Sequence, residues 1–117
     1  MTITSELLGK LGGSDVNQIP VSVTASGNRY SDELIHTIEV PDGQTWLVIL
    51  IGDLQSFMSG TNSSAHLYIG DTVHNGYPES GITGLAHVGT GMIEVGLRRN
   101  YNNQSDSFTG HLYTVRL

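Results

Sequence analysis

Apolar and polar residues alternate along most of this chain with the two-residue period of strands that bury one face. Ile19-Pro20-Val21-Ser22-Val23-Thr24 predicts a first strand, whose proline suits a sheet edge or a strand start. Leu34-Ile35-His36-Thr37-Ile38-Glu39-Val40 alternates as well, placing Leu34, His36, Ile38 and Val40 on one face. Val40-Pro41-Asp42-Gly43 has proline early and glycine late, the order of a tight turn, so residues 34 to 54 read as a hairpin. The second arm of that hairpin breaks the alternation, because Trp46-Leu47-Val48-Ile49-Leu50-Ile51 is apolar at every position. Such a run calls for cover on both sides. The domain's own core supplies one cover, and a further sheet, the N-terminal arm or a symmetry mate supplies the other.

Further strands are predicted at Ala65–Ile69, Thr72–His74, Ile82–Val88, Gly91–Arg99 and Phe108–Leu117, with a turn at Gly70-Asp71. Ala25–Arg29 reads as a turn, and Gln55–Ser64, Asn75–Gly81 and Asn100–Ser107 read as polar loops. Many short strands with no helix between them predict an all-β fold, an antiparallel two-sheet β-sandwich of jelly-roll type. Helical spacing occurs once, where Leu7, Leu8 and Leu11 follow the potential caps Thr4 and Ser5 and precede Gly12-Gly13. A helix this short is marginal alone and gains order by docking, so Ile3, Leu7, Leu8 and Leu11 read as a partner-binding arm, with a terminus packed on its own domain as the alternative. The predicted organisation is an arm at 1–17 and a sandwich at 18–117. The fragment HLY occurs at His66 and again at His111, too short a match to define a repeat.

Composition narrows the function. The 117 residues carry a formal charge of -6, with Lys10, Arg29, Arg98, Arg99 and Arg116 as the basic residues, which argues against a nucleic-acid partner. Absence of cysteine excludes disulfides and thiolate metal sites. The start MTITSELLGKLGG lacks a basic leader with a long apolar segment, so synthesis and retention in a cytosol are expected. The apolar run at 46–51 is far shorter than the roughly 20 residues of a membrane-spanning helix, and no membrane partner is expected.

The candidate chemistry is sparse. His36, His66, His74, His87 and His111 show none of the close pairings of a zinc signature. His66 and His74 are the nearest, facing each other across a predicted turn, where ordinary hydrogen-bonded histidines are the favoured reading. No nucleophile elbow or phosphate-binding loop occurs, and Asp53, Asp71 and Glu94 have no spacing that marks a catalytic dyad. The chain is therefore expected to be no enzyme and to hold no metal or cofactor. Binding is better supplied. Tyr77 and Tyr101 sit in asparagine-rich loops and offer stacking faces for a glycan or receptor, with Asn75, Asn102, Asn103 and Asp106 to contact hydroxyls.

The arm TITSELLGKLGGSDV, the VPDGQTWLV entry to the apolar strand and the closing HLYTVRL together resemble small accessory proteins of tailed bacteriophage virions, the capsid decoration, head-fibre and tail-fibre class. That resemblance implies a structural virion protein that binds and stabilises a capsid or forms part of a fibre. It also implies a homotrimer or lattice-bound subunit, a capsid or tail protein as partner, no cofactor and no catalysis. A carbohydrate- or receptor-binding module of a tail or adhesion protein is the alternative.

Overall fold

The computed structural model describes residues 16–27, 32–58, 65–74, 81–99 and 104–117. These residues form eight strands: β1 (Val16–Gly27), β2 (Asp32–Glu39), β3 (Trp46–Met58), β4 (Ala65–Ile69), β5 (Thr72–Val73), β6 (Gly81–Gly89), β7 (Met92–Arg99) and β8 (Gln104–Arg116). The fold is all-β, two antiparallel four-stranded sheets packed face to face in the orders β1-β8-β3-β6 and β2-β7-β4-β5. The pairing has a simple rule. β1 pairs with β8, β2 with β7, β3 with β6 and β4 with β5, so the chain is one long ribbon folded back at the β4–β5 turn. Rolling that ribbon adds the β3–β8 and β4–β7 ladders and gives the jelly-roll order.

The apolar interior lies between the sheets. Val48, Leu50 and Leu54 of β3, Phe108 and Leu112 of β8, Leu67 and Ile69 of β4 and Ile93, Val95 and Leu97 of β7 are buried there. Alternation explains the choice, since each of these strands sends every second residue inward. At the centre, Gly52 of β3 opposes Gly110 of β8. A Cβ on Gly52 would lie 2.5 Å from the Thr109 carbonyl oxygen and 2.7 Å from Phe108 Cζ, so the two strands approach more closely than any larger residue allows.

The expected hairpin at residues 34 to 54 does not form, because β2 and β3 lie in different sheets. The Pro41 turn is present, with the Gln44 N–H donating to the Pro41 carbonyl at 3.1 Å and Gly43 at φ 80°, but it carries the chain across the sandwich. The predicted face of β2 also changes. Leu34 pairs with Gly96 and His36 with Val95, which leaves Ile35 as an inserted bulge residue. Ile35 packs against the core while Leu34 is turned outward, 55% exposed. Several strands outrun the sequence reading: β1 includes Val16, Asn17 and Ala25–Gly27, β3 continues through Gln55–Met58, and β8 begins at Gln104 within the predicted polar loop. In each case the ladder pairs backbone groups regardless of side-chain polarity.

Gly110→Ala is expected to destabilise the fold by about 3 kcal/mol, because its Cβ would meet the Ile51 carbonyl and lie 2.6 Å from Gly52 Cα. Gly84→Ala, whose Cβ would meet nothing nearer than Leu50 O at 3.3 Å, should change stability by about 0.5 kcal/mol or less. Urea midpoints of the two variants measure the contrast.

Candidate functional site

The outward faces of the two sheets differ in kind. On the β2-β7-β4-β5 sheet, Tyr68 lies over Gly96, Arg98 stands 5.4 Å from the Tyr68 ring centroid, and Arg98 Nε donates to Asp32 at 3.2 Å. Burial raises the Tyr68 phenol, with Asp32 and Glu94 adding to the effect. Around this set the face mixes charged residues, Glu39 and Glu94 among them, with the exposed apolar side chains of Leu34 and Met92.

The β1-β8-β3-β6 sheet carries fewer charged residues on its outer face. Residues paired across its strands share a side, and the register sets out its outer face in four rows. The first row is Val16, Val115, Leu47 and Val88, and the second is Gln18, Tyr113, Ile49 and Ala86. The third is Pro20, His111, Ile51 and Gly84, and the fourth is Ser22, Thr109, Asp53 and Ile82. Among these positions Asp53 is the one carboxylate. Ile51 is 45% exposed, Val88 55% and Ile82 80%, whereas Leu47 and Ile49 are half-buried. Val115 is fully buried, flanked by Val16 and Leu47. The apolar run of residues 46–51 therefore has Val48 and Leu50 in the core and Leu47, Ile49 and Ile51 on this outer face.

A shallow depression of about 590 Å³ lies on the same side, lined by Pro20, Ser22, Ile51, Asp53, Ile82, Thr109, His111 and Tyr113 among others. Gly84 contributes to the hollow by placing no side chain beside Ile51. The His111 and Tyr113 rings stand 6.2 Å apart and inclined by 43°, and Gln18 Nε2 donates to the Tyr113 hydroxyl at 3.4 Å. Asp53 accepts from Gln55 Nε2 at 2.7 Å, holding its carboxylate at the polar end of the depression.

Ile3, Leu7, Leu8, Leu11, Asn75, Tyr77, Tyr101, Asn102 and Asn103 lie outside the described residues. Asp106 is in β8 rather than in a loop, and only 2% exposed, so it offers no surface to a glycan. His66 and His74 do meet across the β4–β5 hairpin, through a hydrogen bond from His66 Nδ1 to the His74 carbonyl at 3.2 Å. His74 Nε2 lies 3.1 Å from Thr83 Oγ1, and Thr72 Oγ1 lies 2.8 Å from His87 Nδ1. These two contacts join the β5 edge to β6. His74 Nδ1 is buried with no partner. The tautomer in which Nε2–H donates to Thr83 leaves Nδ1 a bare acceptor, which costs less than a stranded N–H. Among the described residues no group of three or more His, Cys, Asp or Glu side chains converges to hold a metal ion. The same residues contain no helix long and apolar enough to cross a membrane.

His111 and Tyr113 went unnoticed in the sequence because HLYTVRL scans as an ordinary closing strand. Their separation by two residues was the available signal that both rings share a face. No family model, no curated protein and no solved structure matches the chain.

Burial lowers the pKa of His66 below its usual 6.5, partly offset by the hydrogen bond to the His74 carbonyl and reinforced by His74 and Arg98. A histidine held neutral in the fold leaves stability intact above the unfolded-state pKa, and stability falls as pH drops through 6.5 and below. Urea midpoints should therefore decline between about pH 7.5 and 5, and less steeply in His66→Gln than in the parent. Equal slopes would remove His66 from the account.

Proposed function

We propose that this chain is a non-enzymatic structural protein that assembles with copies of itself, using the outer face of the β1-β8-β3-β6 sheet. The observation that supports this most is the exposure of Ile51, Ile82 and Val88 on a face with one carboxylate among its rows. Contiguous apolar surface open to water favours association, at roughly 25 cal/mol per Å² covered. A further copy of the chain brings apolar surface of its own, so contact between copies covers such surface on both partners. The setting that agrees with the sequence resemblance is a phage virion, with a homo-oligomer, a trimer in that class, made in the host cytoplasm and seated on a capsid or tail protein. Jelly rolls serve in viral capsid and lectin domains alike, which is support by analogy of fold.

A glycan-binding reading is favoured by one feature, the tilted His111 and Tyr113 pair beside Asp53 in the depression. An aromatic face with a carboxylate at its margin suits the apolar side and the hydroxyls of a sugar ring.

Light scattering coupled to size exclusion should show Ile51→Lys at a lower mass than the parent chain, with an unchanged circular dichroism spectrum. Unchanged mass would take the outer face out of the assembly. On a glycan array, Tyr113→Ala should lose any retention that the parent shows, and a parent that binds nothing rules out the glycan reading.

A further inference from the structure

Each sheet of a sandwich ends in two edge strands, whose outward N–H and C=O groups invite pairing with another chain unless something blunts them. Three of the four edges here are blunted. β1 carries Pro20, which has no N–H to offer. β2 carries Asp32, Glu33 and Glu39, and β5 is only two residues long. β6 has none of these devices: Gly81-Ile82-Thr83-Gly84-Leu85-Ala86-His87-Val88-Gly89 contains neither proline nor a carboxylate, lysine or arginine. Among the described residues its backbone pairs with β3 on one side and with no strand on the other.

The sequence of β6 is also complementary to itself when reversed. An antiparallel pair centred on Leu85 sets Ile82 opposite Val88, Thr83 opposite His87, Gly84 opposite Ala86 and Leu85 opposite its own copy. The larger exposed side chains, Ile82 and Val88, then meet on the outer face, and the small Gly84 and Ala86 meet between them. The half-buried Thr83, Leu85 and His87 meet on the inner side. A chain of net charge -6 repels its copies, and β6 itself adds no carboxylate to that repulsion, its nearest ones being Asp71, 3.8 Å from His87 Nδ1, and Asp53, the cross-strand partner of Ile82.

We infer that β6 is a two-fold contact at which two copies of this chain pair edge to edge, antiparallel and centred on Leu85. Two four-stranded sheets then become one continuous sheet in the order β1-β8-β3-β6, β6-β3-β8-β1. The contact is isologous, so each copy supplies the same groups, and it closes without leading to a fibre. The apolar outer faces of the two copies become one surface, with Ile82 of each beside Val88 of the other. This contact goes beyond the proposed assembly through the outer face. Either can exist without the other: sheet pairing uses backbone hydrogen bonds along an edge, and face contact uses side chains above it.

Two double variants test the register on the full chain. In Ile82→Lys/Val88→Lys the introduced lysines face each other across the two-fold contact, twice over. In Ile82→Lys/Val88→Glu each lysine faces a glutamate of the other copy. Both place charges on the outer face, so an assembly held by that face alone loses mass equally in both. The expected result by light scattering is a lysine–glutamate variant at twice the mass of the lysine–lysine variant. Equal masses for the two variants overturn the inference, as does a parent that stays a single chain at high concentration. Leu85→Cys gives a second readout in a chain that has no cysteine of its own. Directly opposed residues place their Cβ atoms about 4.5–5.5 Å apart, near disulfide range, so mild oxidation should link most of the protein into pairs. Adding Ile51→Lys should leave that link intact, which separates failure of the edge contact from failure of the outer-face reading.

Discussion

The close approach of β3 and β8 at Gly52 and Gly110 is the constraint on which the rest of the molecule depends. Backbone meets backbone there, and the Phe108 ring fills the space that a Cβ on Gly52 would take. This ladder is the one that turns a flat folded-back ribbon into two layers, because it brings the second half of the chain against β3 on the side away from β6. With β3 held between β8 and β6, its even-numbered residues face the core and its odd-numbered residues face outward. The apolar outer rows follow from that placement.

The two outer faces then divide the surface chemically. Arg98, Tyr68 and Asp32 satisfy one another on the β2-β7-β4-β5 sheet, a paired arrangement set among the exposed Leu34 and Met92. Among the described residues the outer face of the β1-β8-β3-β6 sheet has no counterpart of this set, and the one carboxylate in its four rows, Asp53, sits at the far end beside Gln55. Between the sheets, the histidine contacts of His74 with Thr83 and of His87 with Thr72 fasten β5 beneath β6. The β6 edge, which no other strand pairs among the described residues, is thus held by side-chain bonds from below.

How much of this was legible in the sequence depends on range. The strands at 65–69, 72–73 and 91–99 and the turn at Gly70-Asp71 follow from local alternation and turn residues, and they form close to where those signals fall. Layer assignment does not follow, since the Pro41-Asp42-Gly43 turn suits a hairpin and a crossover equally, and the choice rests on packing against β7 and β8. The bulge at Ile35 is equally silent, because a single inserted residue is visible only against the register of its partner. The continuous apolar run at 46–51 did signal a strand with two apolar faces, although which one pointed outward required β8 and β6 in place. The pairing of His111 with Tyr113 on one face is not legible locally, because polarity draws attention to loops such as those of Tyr77 and Tyr101 while a sheet face is assembled from four distant segments. Asp106 shows the same limit: its polar neighbourhood suggested a loop, and pairing with Ala25 and Ser56 makes it a buried strand residue.

The ribbon pairing also governs how the chain reaches this state. Contacts at the β4–β5 turn join near neighbours, whereas Val16 meets Val115 from almost the opposite end of the sequence. Loop-closure entropy rises with separation, so each ladder formed nearer the turn shortens the loop that the next must close. A zipper running outward from Gly70 is consequently the least costly route, and the β1–β8 seam is the last to gain and the first to lose its hydrogen bonds. High contact order of this kind makes for slow folding, during which the unblunted β6 edge stands open to other chains before its own sandwich is complete.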